Sequence, residues 1–193
     1  MSRTHQIVQY IKYRRHAKNR HGVHSPFVYE LTEALLKKKN AAPHLMLATT
    51  RHRKLVNKIL THFECQHILW VTNNDGEQET FLSIQHNSVS DVQLRTERFD
   101  FAQFSTYPAP ELYLIDLPNS DDWQRAWSKY KSHLRPNDII ALIGIHHSKE
   151  HSEAWKKVCE SQSVRMSIDL FKVGLLFFKD EFKERQHFIL RTS

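Results

Sequence analysis

Residues 112–143 read LYLIDLPNSDDWQRAWSKYKSHLRPNDIIALI, and they decide the fold class. Leu112 to Leu117 is an apolar run interrupted only by Asp116, the pattern of a strand buried on both faces. Ser120, Asp121 and Asp122 then offer a helix start, and Trp123, Trp127, Tyr130 and Leu134 follow on one stripe. Aromatic residues on such a stripe read first as core and only distantly as a base-stacking surface. Asp138 to Ile143 (DIIALI) is a second buried strand. Apolar runs alternating with helices are the signature of a parallel α/β sheet.

The alternation extends in both directions. Upstream, His67 to Thr72 (HILWVT) predicts a strand, Asn73-Asn74-Asp75-Gly76 a turn, and Glu77 to His86 a short helix with acids in its first turn. Val92 to Glu97 predicts a strand at or near a sheet edge. Downstream, Ser148 can cap a helix carrying Ala154, Trp155 and Val158. Three strands close the chain, at Val164 to Phe171, Val173 to Lys179 and His187 to Leu190. No helix between them is long enough for a parallel crossover, so antiparallel neighbours are expected.

The N-terminal third reads differently. His5 to Ala17 fits an amphipathic basic helix, with Ile7, Val8, Tyr10, Ile11 and Tyr13 as its apolar positions. Ser25-Pro26 is a cap followed by a first-turn proline, opening a helix through Phe27, Val28, Leu31 and Leu35. A third helix is predicted from Thr50 to Phe63, with Leu55, Val56, Ile59, Leu60 and Phe63 buried. Residues 1–62 hold 13 basic and two acidic side chains, net +11, whereas residues 63–193 hold 15 basic and 19 acidic, net −4. Such asymmetry suits a surface that faces nucleic acid, an acidic protein or the acidic body of its own chain. Arg14, Arg15, Lys18, Arg20, Lys37, Lys38, Lys39, Arg51, Arg53 and Lys54 would carry those contacts, as backbone-positioning cations rather than sequence readers. The division expected is a basic helical extension over residues 1–64, packed on an α/β domain over 65–193.

Composition sets the outer limits. With 193 residues, 40% of them hydrophobic and 25% charged, the chain suits one domain with an appendage and excludes collagen, coiled-coil and low-complexity classes. No uncharged apolar run approaches the roughly 20 residues of a membrane span, and the N-terminus lacks an apolar signal core, so a cytoplasmic protein is expected. Cys65 and Cys159 have no metal-ligand spacing and are expected to be buried thiols.

Several segments carry a resemblance to a known family. Lys18 to Val28 (KNRHGVHSPFV), Ile145 to Glu150 (IHHSKE), Glu153-Ala154-Trp155, Ser167 to Phe171 (SIDLF), Val173 to Phe178 (VGLLFF) and His187 to Arg191 (HFILR) span nearly the whole chain. Together they resemble bacterial O-methyltransferase-like proteins of the class I S-adenosylmethionine-dependent methyltransferase superfamily. The resemblance implies a three-layer Rossmann-like fold, its mostly parallel sheet ending in an antiparallel hairpin, preceded by the basic extension.

It also implies where a cofactor site would lie. The first strand should lead into an acidic, glycine-rich loop, because only glycine lets backbone approach the cofactor unobstructed. Here Trp70 stands in place of a Glu, and Gly76 is the only glycine, with Thr72, Asn73 and Asn74 before it. The stretch therefore reads either as a reduced cofactor loop or as a plain strand-to-helix turn. Asp116 matches the family's acid at the carboxyl edge of the sheet, where open α/β sheets place ligands; it equally suits a cap or ion-pair partner for the next helix. No clear counterpart exists for the acid that holds the cofactor ribose, Glu97 being a loose candidate. Ile143 and Gly144 occupy the positions of two metal-binding carboxylates, so a hard divalent cation is not expected. His147 and His151 have two-histidine spacing without the Glu of a zinc-hydrolase motif. His146 matches a family histidine near the substrate side and is the only candidate base. No Walker loop or nucleophile elbow is present, and spacing alone brings together no Ser-His-Asp set. The functional expectation is a methyltransferase-like protein with a weakened or lost cofactor site, S-adenosylmethionine being its cofactor if one is kept. The alternative is a non-catalytic module whose basic region binds nucleic acid or an acidic partner.

Overall fold

The structure, a computed structural model, describes residues 3–18, 25–36, 51–73, 93–97 and 110–191. Strands β1 (His67–Thr72), β2 (Gln93–Glu97), β3 (Leu112–Asp116), β4 (Ile139–Ile143), β5 (Met166–Asp169), β6 (Val173–Phe177) and β7 (Gln186–Ile189) form one mixed sheet, in the order β2-β1-β3-β4-β6-β5-β7. The described helices are α1 (Arg3–His16), α2 (Pro26–Leu36), α3 (Arg51–Phe63), α4 (Ser120–Tyr130) and α5 (Lys149–Cys159). The helix predicted over Glu77 to His86 lies outside the described residues.

Local signals place the helix ends. Ser148 caps α5 by accepting from the His151 amide, and α4 starts at Ser120 as expected, with Asn119 flanking it. Asn119 Nδ2 donates to Asp122 Oδ2 at 3.1 Å rather than serving as a side-chain cap. Before α2, Ser25 accepts from Tyr29 through its carbonyl at 2.9 Å.

Residues alternate across the strands with period two, and each face has its own core. On one face Ile68, Trp70, Leu112 and Leu114 pack with Val28, Leu31 and Leu35 of α2 and Val56, Ile59 and Leu60 of α3. On the other, Leu69, Val71, Tyr113 and Ile115 pack with Trp123, Ala126 and Tyr130 of α4 and Ala154, Trp155 and Val158 of α5. The Trp123 stripe is thus core. Trp155 lies so close to β6 that a Cβ on Gly174 would sit 2.6 Å from its ring, which is why that strand position carries no side chain.

β1 pairs in parallel with β2 and β3, and β3 with β4, as the apolar runs predict. The C-terminal expectation holds only in part. β6 is antiparallel to both β4 and β5, but β7 lies parallel to β5, on its far side. The reason is length. β6 ends and β7 starts beside the same residue, Met166 of β5, so the eight residues between them need only pass the end of β5, about 10 Å or two strand spacings, and no crossover helix is needed.

The N-terminal helix is tied to that edge. Lys18 N donates to Ile189 O at 2.8 Å, Arg191 N donates to Lys18 O at 3.0 Å, and Tyr13 Oη donates to Leu190 O. Tyr10 and Tyr13 rest on the Phe171 ring, with centroids 5.0 and 5.2 Å away. The expected apolar stripe of α1 is split by this docking: Tyr13 is buried, whereas Ile7, Val8 and Ile11 stay exposed. Among the described residues no helix is long and apolar enough to cross a membrane.

Candidate functional site

Two places at the carboxyl edge of the parallel strands bring chemistry-bearing residues together. The first lies between β1 and β3. β2 sits on one side of β1 and β3 on the other, so this is the point where the strand order reverses and where open α/β sheets leave a crevice. Thr72 and Asp116 are direct partners in the register, side by side at that point. Thr72 is buried, while Asn73 and Asp116 are partly exposed. Asn74 and Gly76 lie outside the described residues, as does the side chain of Glu97. Trp70 faces the core beneath α2 and α3 and is 4% exposed, so the position that the resemblance gives to a carboxylate holds packing instead.

The second place is built by the loop after β4 and by the β5–β6 hairpin. Gly144 takes φ +81°, a backbone conformation open to glycine, and its N–H donates to Lys172 O at 2.7 Å. That turn aims His146 at the end of β5. His146 Nε2 lies 2.7 Å from Asp169 Oδ2, and His146 Nδ1 lies 3.1 Å from the Ser152 hydroxyl on α5. The other carboxylate oxygen of Asp169 accepts the Phe171 amide at 2.7 Å. Phe171 has φ 66°, a strained value for an aromatic residue, held there by this bond and by the packing of its ring against Tyr10, Tyr13 and His146. Asp169 and Ser152 are buried, and the His146 side chain is 12% exposed. The three groups line a cavity of about 750 Å³ between α1, α5, β5 and β7. His187, whose Nδ1 is 2.7 Å from Ser167 Oγ, lines it too.

A smaller cavity, about 640 Å³, lies where α4 and α5 begin and is lined by His5, Asp122, His147 and His151 among others. His147 and His151 meet ring to ring, 5.6 Å between centroids. Burial holds the His151 imidazole below the usual histidine range, with His147 adding to the effect, and its Nδ1 is 2.9 Å from Ser148 Oγ. Among the described residues no group of three or more His, Cys, Asp or Glu side chains is arranged to hold a metal ion. Cys65 is buried and Cys159 partly so; both are free thiols, pushed by burial up to about 12.

Of the basic residues, Arg14, Arg15, Lys18 and Lys54 are exposed. Arg14 lies over the Tyr10 ring at 5.9 Å, and Arg14, Arg15 and Lys18 form no ion pair with a described acidic side chain. Arg20, Lys37, Lys38 and Lys39 lie outside the described residues, as do the side chains of Arg51 and Arg53.

The structure therefore joins Thr72 and Asp116, and it joins His146 to two residues that spacing did not single out. Ser152 is six positions from His146 and Asp169 is 23, and no local motif marks either. No family model matches this chain, and no curated protein matches it.

Proposed function

We propose that this chain is a methyltransferase-like protein of the class I S-adenosylmethionine-dependent type, of O-methyltransferase character, with a reduced cofactor site. One observation carries the reading: Thr72 and Asp116 stand side by side at the strand-order reversal of a sheet in which antiparallel β6 is inserted between β4 and β5. The resemblance implies that inserted strand, and helices on both sheet faces agree with a three-layer Rossmann-like arrangement.

The residues present fit the cofactor in part. Asp116, partly exposed at the crevice, can accept from ligand hydroxyl or amino groups, and Thr72 and Asn73 add polar atoms beside it. Trp70, turned into the core, offers no carboxylate. When bound, the cofactor would supply a methyl group on a sulfonium, a ready electrophile. The chain's own part would be to hold an acceptor oxygen in line and to take its proton. His146 is the base in this reading, and Asp169 fixes its ring through Nε2. Its Nδ1 must turn from Ser152 to the acceptor for that role.

Isothermal titration calorimetry with S-adenosylmethionine and S-adenosylhomocysteine tests the reading. Micromolar dissociation constants, about −8 kcal/mol, that weaken at least tenfold in Asp116→Asn, support it. No heat from folded protein with either ligand overturns it.

One observation favours a second reading, in which the basic N-terminal region binds nucleic acid or an acidic protein. Arg14 and Arg15 at the end of α1 and Lys18 just beyond it stand exposed without a described acidic partner. Affinity for a duplex oligonucleotide that falls steeply between about 50 and 200 mM salt is the expected result. Unchanged affinity in the triple Ala variant of these residues would sink it.

A further inference from the structure

Two features stand outside the reading above, the exposed apolar side of α1 and the histidines at the start of α5; a third, the cavity that holds Ser152, His146 and Asp169, shares His146 and Asp169 with that reading but gives Ser152 no role in it. The last is carried furthest by its geometry. A hydroxyl, an imidazole and a carboxylate stand in hydrogen-bonded series, with spacings of 3.1 and 2.7 Å, on the wall of a cavity large enough for a small organic ligand. The carboxylate is itself fixed by the Phe171 amide, and the backbone at Phe171 is strained.

We propose that Ser152, His146 and Asp169 form a nucleophilic relay that cleaves carboxylic esters in this cavity, with Ser152 Oγ as the attacking atom. Such relays are recognised by geometry and roles, whichever fold carries them. The Asp169 carboxylate accepts from Nε2–H and so leaves the lone pair of Nδ1 facing the Ser152 hydroxyl. The imidazole is used in the opposite sense from the serine proteases, but the relay needs only one nitrogen on each partner. The Ser152 hydroxyl also donates to Ser148 O at 3.1 Å, a bond its one proton must leave for Nδ1 when the relay acts, and it lies 3.4 Å from His5 Nε2.

Ser152 Oγ bonds to the ester carbon as its proton passes to His146 Nδ1, and the carbonyl electron pair moves onto oxygen. When that pair returns, the carbon–alkoxide bond breaks and the alcohol leaves with the proton from Nδ1. Water then repeats the sequence on the acyl-serine, so ester and water become acid and alcohol. Lys12, His16, Lys156 and Arg185 line the same cavity against Glu160 and Asp169, which favours an ester bearing a negative charge.

A fluorophosphonate probe reads the proposal directly, since Ser152 would displace fluoride and keep the phosphonyl group. The full chain is expected to gain one adduct, mapped to the peptide containing Ser152, and Ser152→Ala to gain none. His146→Gln should slow labelling by about 10²-fold or more, the worth of a general base. Folded protein that acquires no adduct at Ser152 overturns the proposal. Thiol reactivity supplies a second measurement that a structural role would not move. Ser152→Cys should be alkylated by iodoacetamide at neutral pH well before Cys65 and Cys159, whose thiols burial pushes up to about 12. That advantage should vanish when His146→Gln or Asp169→Asn is added; equal rates with and without His146 would overturn the relay. The cofactor titration above is independent of either outcome.

Discussion

Strand β5 separates two kinds of interior within four residues. Met166 and Ile168 leave it toward the apolar core beneath α2 and α3. Ser167 and Asp169 leave it on the opposite face and meet His187, His146 and the Phe171 amide. All four are buried, yet only the first pair is stabilised by burial itself. A buried hydroxyl or carboxylate has to recover its lost hydration through hydrogen bonds, which at best roughly offset the cost. The α1, α5, β5 and β7 corner is thus organised for polar chemistry, at a place where stability alone would prefer another Met or Ile.

The largest test of that contrast is Ile168→Ala, which should lose about 2–5 kcal/mol of unfolding free energy in urea titrations, as buried aliphatic truncations do. Gly174→Ala comes next. Its new Cβ meets the Trp155 ring at 2.6 Å, and overpacking of this kind costs about 1–3 kcal/mol, read from the same titration. Ser167→Ala, on the polar face of β5, removes one hydrogen bond to His187 and should cost only about 0.5–1.5 kcal/mol. A loss equal to that of Ile168→Ala would break the comparison.

The smallest effect concerns pH. Burial lowers the affinity of His62 and His151 for protons in the folded state, although nearby acids oppose it at His62. A folded-state value below the unfolded one contributes stability that is complete above about pH 6.5 and is lost as pH falls through the lower folded value. Melting temperatures measured from about pH 7.5 down to about pH 5 should therefore decline. Replacing His151 by Phe should flatten part of that decline, and an unchanged slope would show that the folded state takes up a proton at His151 as readily as the unfolded state does.

Much of the fold was legible because its signals are local. The apolar runs read at 67–72, 112–117, 138–143 and 173–179 contain β1, β3, β4 and β6. Ser148 capped α5, and Tyr13 proved to be a buried position of α1. The pairing of β7 was misread, because which strand it joins depends on where an eight-residue connection lands. Within the candidate site, His146 and Asp116 were singled out by the family resemblance, which matches each to a family residue at the carboxyl edge of the sheet. Ser152 and Asp169 were not, for a serine in a helix and an acid at a strand end are common and carry no spacing rule. The exposure of Ile7, Val8 and Ile11 was hidden as well, since a helical stripe says which residues share a face but not what covers it.

By itself the sequence determined an α/β chain with a strongly basic N-terminal third, its strands and helices set by apolar periodicity and caps. Tertiary structure alone decided that β7 returns beside β5, that Trp70 turns into the core, and that Ser152, His146 and Asp169 meet. Periodicity acts over three or four residues, whereas these outcomes depend on strand register and loop reach across tens of residues, where many arrangements satisfy the same local pattern.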